Sequence, residues 1–428
     1  MKKTLLVALA AALLAATFMA GYSSANSPTP AQPVAQKDPP KPAPVAQNDP
    51  PKPVAPKDPP KPVAPKDPPR PADPKPAPKQ DAQQNVIQLA LLLDTSGSMD
   101  GLLEQAKGQL WRIVNEFSRS NRNGQAPRVE VALYEYGKST VDRKQGYVRQ
   151  ILPFTTDLDR VSEELFALRT DGGDEYCGWA MKAALRDLKW KKTDGTLRFL
   201  FIAGNEPFNQ GPVDFRTICG QALQQGVTVN TIFCGQLAEG ESTGWKDGAA
   251  LARGRFLAID QNQQVAEIEA PQDAEIARLG AELNQTYIPY GQAGHESYQR
   301  QAAQDEGSAK MGSVVARSYT KASSNYKNDS WDLVDAVDQK TVDAGKLEAA
   351  QLPAEMQTMN APQREAYVKQ KAEQRRELQK RIQGLYEERN GYVQEKEKEN
   401  AASPDTLDQA IVRTVREQAG SKGYHFTE

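Results

Sequence analysis

A short apolar segment that ends abruptly in an acid constrains the fold of this chain most. Residues 91–93 are three leucines, and Asp94 follows them directly, with Ser96 and Ser98 at two-residue steps. The segment stays apolar on both faces instead of alternating, which is typical of a buried parallel strand. Open α/β sheets bind ligands at the carboxyl ends of their strands, where Asp94 would lie. The segment therefore predicts a buried strand with a polar site at its end.

The polar residues after this strand have the chemistry of a metal site. One carboxylate and two hydroxyls on a tight loop supply the hard oxygen ligands that Mg²⁺ prefers. The alternative is an N-cap for the next helix, which Asp and Ser both favour. A lone Asp-x-Ser would favour the cap, whereas the full Asp94-x-Ser96-x-Ser98 pattern after three leucines favours the metal.

Helix and strand patterns alternate from residue 85 to residue 272. Apolar strand patterns are followed by segments with apolar residues at helical spacing, and this alternation predicts a doubly wound, mostly parallel, Rossmann-like α/β sheet with helices on both faces. The predicted strands are 86–94, 129–136, 146–154 (an edge strand), 197–203, 227–234 and 255–259. The predicted helices are 101–117, 157–168, 176–188, 213–225 and 245–252.

The segments before this domain differ from it in composition. Residues 1–25 carry two lysines, a short apolar run and small residues, which predicts a signal peptide rather than a membrane span of roughly 20 apolar residues. Tyr22 stands where a lipoprotein would need cysteine, so we expect a soluble exported protein of the periplasm, cell envelope or exterior. Residues 26–84 repeat Pro, Lys and Asp, and proline fixes φ and removes donors, which predicts an extended, disordered linker.

Residues 273–428 are charged and predicted to be helical. Residues 362–399 interleave acidic and basic residues, with apolar residues at heptad-like spacing that Arg375 and Arg389 interrupt. A sustained coiled coil needs three or four clean heptads, so a long helix packed on the core is favoured over a dimer. A final helix with one apolar stripe is predicted to end at Gly420.

The charge and the rare residue types exclude several functions. A formal net charge of -2 gives no electrostatic case for binding nucleic acid or an anionic membrane. The two histidines lie outside the predicted sheet, which argues against histidine catalysis and most zinc sites. The chain has three cysteines, Cys177, Cys219 and Cys234. In an exported protein, two of them could form one disulfide, and three pairings are open. Alternatively all three are small buried apolar residues, and their spacing does not distinguish these two alternatives.

Asp94-x-Ser96-x-Ser98 after an apolar strand resembles the metal-ion-dependent adhesion site of von Willebrand factor type A (VWA) domains. The resemblance covers roughly residues 86–270. It implies that Ser96 and Ser98 bind the metal directly. In such domains the first aspartate, here Asp94, often acts through water. The resemblance also implies a threonine ligand on a second loop, and Thr170 fits that place, with an N-cap as its alternative role.

The third motif departs from the family pattern. Where VWA domains usually have Thr-Asp-Gly after the fourth strand, residues 203–206 read Ala-Gly-Asn-Glu. Gly204 thus replaces the aspartate, and Asn205 or Glu206 would have to reach the site directly or through water. The loss of a carboxylate predicts weaker binding of a divalent cation.

The resemblance implies a non-enzymatic binding module. Its Mg²⁺ (or Mn²⁺ or Ca²⁺) would capture an acidic residue of an unidentified protein partner, with possible association with the cell envelope. A first alternative is a structural component of an envelope assembly with a vestigial metal site. A second is a metal-assisted hydrolase that uses Asp171, Asp174 and Glu175, although acids beside a helix N-terminus more often match the helix dipole.

Overall fold

The computed structural model describes residues 85–262, 268–399 and 407–426. The predicted signal peptide and proline-rich linker lie outside these residues. The described strands are β1 (Val86–Asp94), β2 (Ser120–Asn121), β3 (Arg128–Tyr136), β4 (Val148–Thr155), β5 (Thr196–Gly204), β6 (Thr228–Cys234), β7 (Phe256–Ile259) and β8 (His425–Phe426).

The five helices predicted between residues 101 and 252 are all present, and the structure adds a helix at Leu237–Ser242 among them and further helices after residue 272. The described helices are α1 (Asp100–Ser118), α2 (Leu158–Ala167), α3 (Cys177–Asp187), α4 (Phe215–Gln224), α5 (Leu237–Ser242), α6 (Trp245–Leu251), α7 (Asp273–Asn284), α8 (Gly291–Lys310), α9 (Val314–Ala322), α10 (Leu333–Asp338), α11 (Ala354–Gln357), α12 (Ala361–Glu399) and α13 (Leu407–Gly420). Short 3₁₀ helices occupy Arg143–Gln145, Ala344–Lys346 and Ala349–Gln351.

Six strands form one sheet in the order β4-β3-β1-β5-β6-β7. All neighbours are parallel except β4, which runs antiparallel to β3 at the edge. The odd-numbered residues of β1 from Ile87 to Leu93 belong to the core on one face, and Ala90 and Leu92 belong to the core on the other. Burial on both faces explains why β1 is continuously apolar. The predicted α/β fold class is confirmed.

The C-terminal helices pack against the core of the sheet. Leu378 and Ile382 of α12 are buried in the same apolar cluster as β1 and α1. Arg375, one of the residues that interrupt the heptads, is buried and donates to Asp332 at 2.6 Å. Arg389, the other, donates to Asp273 at the start of α7 at 2.6 Å. The arginines that weaken the coiled-coil pattern thus attach the helix to its own chain.

Helix α8 lies in the region predicted to be helical, but the sequence pattern does not mark its bounds. Its buried residues are Gly294, Gln301, Gln304 and Ser308, so it lacks an apolar stripe. Its polar side chains bond across the interface: Ser162 of α2 donates to Gln304 at 2.7 Å. A helix buried through hydrogen bonds gives no apolar period in the sequence.

The three cysteines, Cys177, Cys219 and Cys234, are buried and free, as in the alternative that treats them as small core residues. Among the described helices, none combines the length and apolar character that crossing a membrane requires.

Candidate metal centre

The loop between β1 and α1 places the first group of predicted ligands. β1 lies between β3 and β5, so Asp94 comes to the carboxyl edge at the middle of the sheet. The backbone N–H of Ser96 donates to Asp94 Oδ1 at 2.8 Å, and that of Thr95 donates to the Tyr136 carbonyl at 2.8 Å. Met99 is fully buried and anchors the end of the loop.

Asp94 is a buried carboxylate, and one of its two oxygens lacks a hydrogen-bond donor. Its side chain is inaccessible to solvent, and Oδ2 has no hydrogen-bond partner. Burial raises its pKa from 3.8 to about 7; hydrogen bonds from Ser96 oppose this shift, and the charge of Glu206 adds to it. A buried ionised carboxylate is costly unless a cation or donors satisfy it. The residue is therefore suited to a bound cation.

The hydroxyl and amide groups continue from Asp94 toward the surface. Ser96 Oγ lies 3.4 Å from Ser98 Oγ. Asn205, on the loop after β5, donates from Nδ2 to Ser98 Oγ at 3.2 Å. Ser96 is buried and Ser98 exposed. The structure thus brings four of the five predicted ligands together.

The second loop, residues 168–176, lies beside the first. The backbone N–H of Asp171 donates to the Thr95 carbonyl at 2.9 Å. The Thr170 hydroxyl donates to Asp100 Oδ1, at the start of α1. Thr170 is therefore near the predicted site, but its hydroxyl is bonded to Asp100.

The structure gives a steric reason for Gly204 in the third motif. A Cβ at this position would lie 2.4 Å from Tyr136 Oη and 2.8 Å from Asp94 Oδ2, both far inside van der Waals contact. The Tyr136 hydroxyl is held there because it donates to the Ala203 carbonyl at 2.9 Å. The space that a family aspartate would need is already filled.

Glu175, which the sequence suggests only as one acid of the hydrolase alternative, lies close to Asp94. A Cβ on Gly137, whose φ is +80°, would lie 2.7 Å from Glu175 Cγ and 2.8 Å from Asp94 Oδ1, so the Glu175 side chain and Asp94 Oδ1 flank the same position. Glu175 is only 7% exposed. Burial first, and then the charges of Asp94 and Glu206, raise its pKa from 4.5 to about 8. From sequence alone it is one of three loop acids, and only the glycines before it mark the loop.

Among the described residues, no group of three or more His, Cys, Asp and Glu side chains is arranged to hold a metal ion. A cation at this edge would therefore depend on hydroxyl and amide oxygens as well as carboxylates. Such a mixed oxygen set suits Mg²⁺, Mn²⁺ or Ca²⁺ better than softer metals.

Comparison with known families supports the fold. Residues 88–244 match the family model of the von Willebrand factor type A domain. The chain contains a VWA domain. The match includes all five predicted ligands. No protein of curated function matches the chain.

Several solved structures are similar to the VWA domain. The conserved hypothetical protein BatB from Bacteroides thetaiotaomicron is 16% identical over 41% of this chain and 90% of its own, with a TM-score of 0.32. Proximal thread matrix protein 1 from the mussel byssus, solved with a zinc-occupied MIDAS motif, is 13% identical over 42% of this chain and 43% of its own, with a TM-score of 0.33.

The pilus adhesin SpaC from Lactobacillus rhamnosus GG is 12% identical over 42% of this chain and 28% of its own, with a TM-score of 0.31. The aligned part thus spans less than half the length of the mussel protein and of the adhesin. At these identities and TM-scores the neighbours add nothing to the family assignment.

Proposed function

We propose that the VWA domain holds a divalent cation, Mg²⁺ or alternatively Mn²⁺ or Ca²⁺, at the carboxyl edge of the sheet and uses it to bind a partner protein. The observation that carries the proposal is the buried Asp94 carboxylate, whose Oδ2 has no hydrogen-bond partner. Ser96 and Ser98 supply hydroxyls beside it, and Asn205 and Thr170 lie on the two neighbouring loops.

When bound, the cation supplies Lewis-acid coordination of an oxygen on the partner. The chain's own residues position the ligands: the Ser96 N–H orients Asp94, and Asn205 orients the Ser98 hydroxyl. Ser98 is exposed, which leaves the outer side of the site open to a partner. The proposed ligand from the partner is an acidic residue, which would complete the shell.

VWA domains commonly mediate protein interactions and adhesion and are generally not enzymes. We propose the same role outside the cytoplasm, since residues 1–25 have the pattern of a signal peptide and residues 26–84 that of a spacer. Display in the periplasm or cell envelope would let the spacer carry the domain to its partner.

The test combines metal binding with partner capture. Mg²⁺ or Mn²⁺ should raise the melting temperature of the full chain, and Asp94→Ala should abolish the rise, because ligands that bind only the folded state stabilise it. Immobilised wild-type protein should capture its partner from an envelope extract with Mg²⁺ and lose it with EDTA. Capture that is unchanged by EDTA and by Asp94→Ala would contradict the proposal and favour the structural alternative.

A further inference from the structure

A cavity of about 670 Å³ opens at the amino edge of the sheet, where β5 and β6 begin. Its cationic lining residues are Arg122, Lys192, Arg198, Arg253 and Lys422. Among the described residues that line it, Asp194 is the only acid. The lining thus carries four net positive charges, in a chain whose formal net charge is -2.

Two arginines of this cavity have defined positions against glycines. A Cβ at Gly195, whose φ is +82°, would collide with Arg122 Nη1. A Cβ at Gly226, whose φ is +65°, would lie 2.9 Å from Arg198 Nη2. Both glycines line the cavity themselves, one directly before β5 and the other shortly before β6. The two guanidinium groups therefore lie at the cavity wall, in space that a larger residue at either glycine would fill.

No close acid neutralises either guanidinium. Arg122 lies 3.7 Å from Asp194, whose side chain is fully exposed, so this ion pair is weak. Arg198 makes no ion pair with any described residue: its Nη1 donates to the Lys191 carbonyl at 3.0 Å, and its Nε is buried without an acceptor in that part of the chain. Glu130, two strands away, pairs with Lys191 at 2.9 Å instead. Burial lowers the pKa of Arg198, as expected of a cation that lacks a counter-charge.

We propose that this cavity binds a diphosphate, either free pyrophosphate or a small diphosphate ester. A guanidinium presents a planar fork of N–H donors that matches the oxygens of a phosphate group. Each phosphate group carries a charge of about -1.5 to -2 at pH 7, so two of them approach the four net positive charges of the lining. The cations are distributed around the cavity, which favours an anion with more than one charged group.

The size and the place of the cavity fit a small ligand that is separate from the metal centre. Its volume lies within the roughly 300–1,000 Å³ of small-molecule sites. Leu223, which is 38% exposed, lines it and offers an apolar surface to the organic part of an ester. β1 and β5 are parallel, so the cavity lies at the opposite edge of the sheet from Asp94. Binding here should not require a metal ion.

The test is isothermal titration calorimetry of the full chain in EDTA, with inorganic pyrophosphate as the probe at constant ionic strength. Arg122→Gln and Arg198→Gln should each weaken binding by roughly tenfold or more, because each removes charge-assisted donors. Arg198→Lys keeps the charge without the planar fork, so its affinity should lie between those of the wild type and Arg198→Gln. Lys380→Gln is the matched control: Lys380 is exposed on α12 outside the cavity, and its loss should change the affinity by less than about twofold.

Two further ligands define the chemistry of the site. Adenosine diphosphate distinguishes the two forms of the ligand: tighter binding than pyrophosphate identifies an ester, and weaker binding identifies the free ion. Citrate carries its charge on carboxylates and should bind roughly tenfold more weakly than pyrophosphate, because each of its groups carries less charge. Equal binding of citrate and pyrophosphate would overturn the assignment of a phosphate ligand.

Other outcomes overturn the site itself. One is the absence of pyrophosphate binding to the wild type at millimolar concentration. Another is an equal loss of affinity in Lys380→Gln, which would show a diffuse effect of charge. Urea unfolding checks that each variant folds as the wild type does. If Arg198→Gln fails to fold, the double variant Arg253→Gln with Lys422→Gln takes its place; both side chains are exposed, and their joint loss should weaken binding roughly tenfold.

Discussion

At the scale of single residues, the main feature of the candidate metal centre is a carboxylate that is buried although its charged form favours water. Asp94 is buried with one oxygen unpaired, and burial raises its pKa to about 7. The folded protein therefore binds more protons than the unfolded chain between about pH 4 and pH 7. Without metal, the free energy of unfolding therefore falls as the pH rises from about 4 to about 7. Above about pH 7, Asp94 contributes no further change.

A bound cation reverses this dependence. Metal competes with the proton for Asp94, so binding releases protons and strengthens as the pH rises. We expect saturating Mg²⁺ to raise the melting temperature little at pH 5.5 and distinctly more at pH 8. Thermal unfolding followed by circular dichroism, with and without Mg²⁺, measures the difference. Asp94→Asn, which cannot titrate, should show no such pH dependence; an equal Mg²⁺ effect at both pH values would contradict the prediction.

Gly204 gives a second prediction at this scale. Gly204→Ala should lower the free energy of unfolding by about 1–3 kcal/mol, because the added Cβ overpacks against Tyr136 and Asp94. Restoring the family aspartate with Gly204→Asp should be at least as harmful. Urea unfolding in EDTA measures both.

The matched control is Asn205→Asp, which places the carboxylate one residue later, on a half-buried side chain beside Ser98. It should leave folding nearly unchanged and strengthen Mn²⁺ binding. If Gly204→Asp is as stable as the wild type, the steric account of the missing aspartate is wrong.

At the scale of elements, what could be predicted follows local patterns. β1 is recognisable because burial on both faces makes it continuously apolar, and α1 because its apolar residues recur at helical spacing. The bounds of α8 could not be predicted, because it buries glutamines and a serine and so has no apolar period. Asp94, Ser96 and Ser98 lie within five residues of sequence, whereas Glu175 comes near Asp94 only through the packing of its loop against Gly137. No local pattern records that contact.

Buried ion pairs between side chains join the helices on one face of the sheet. Arg317 of α9 is 1% exposed, pairs with Asp159 of α2 at 2.6 Å and with Asp305 of α8 at 2.8 Å, and lies 4.4 Å from the centre of the Trp111 ring. One side chain thus links the sheet's own helices, α1 and α2, to the C-terminal ones.

Arg317→Ala should therefore lower the free energy of unfolding by about 3–5 kcal/mol, because it leaves Asp159 buried without its cation. The control is Arg278→Ala, whose ion pairs with Glu275 and Glu282 are exposed and should matter little. Equal urea midpoints for the two variants would show that the buried network does not stabilise the fold.

At the scale of the whole molecule, the predicted boundary at residue 272 runs through a shared core. Ile411 and Val415 of α13 and Ile382 of α12 belong to the same apolar cluster as Leu103 and Trp111 of α1. Removing the C-terminal region would expose that face of α1 and of the sheet beneath it. The boundary at residue 272 thus separates two kinds of sequence pattern. Whether residues 85–272 fold without the helical region stays a prediction to be tested.

We expect a chain shortened to residues 85–272 to unfold at a much lower urea concentration than residues 85–428 and to bind a dye for exposed apolar surface. The loss of buried apolar area, at about 25 cal/mol per Å², is the physical reason. Cooperative unfolding of the short chain at the same midpoint would show instead that the VWA domain folds alone.

The small ribbon of β2 and β8 fixes a direction in the molecule. Asn121 of β2 pairs with His425 of β8, and the neighbouring Arg122 carbonyl accepts from Asn85, directly before β1. Both Asn85 and Phe426 therefore lie at the amino edge of the sheet, while Asp94 lies nine residues along β1, roughly 25–30 Å away. If the protein were tethered through either position, its candidate metal centre would point away from the anchor. That orientation leaves the centre accessible to a partner.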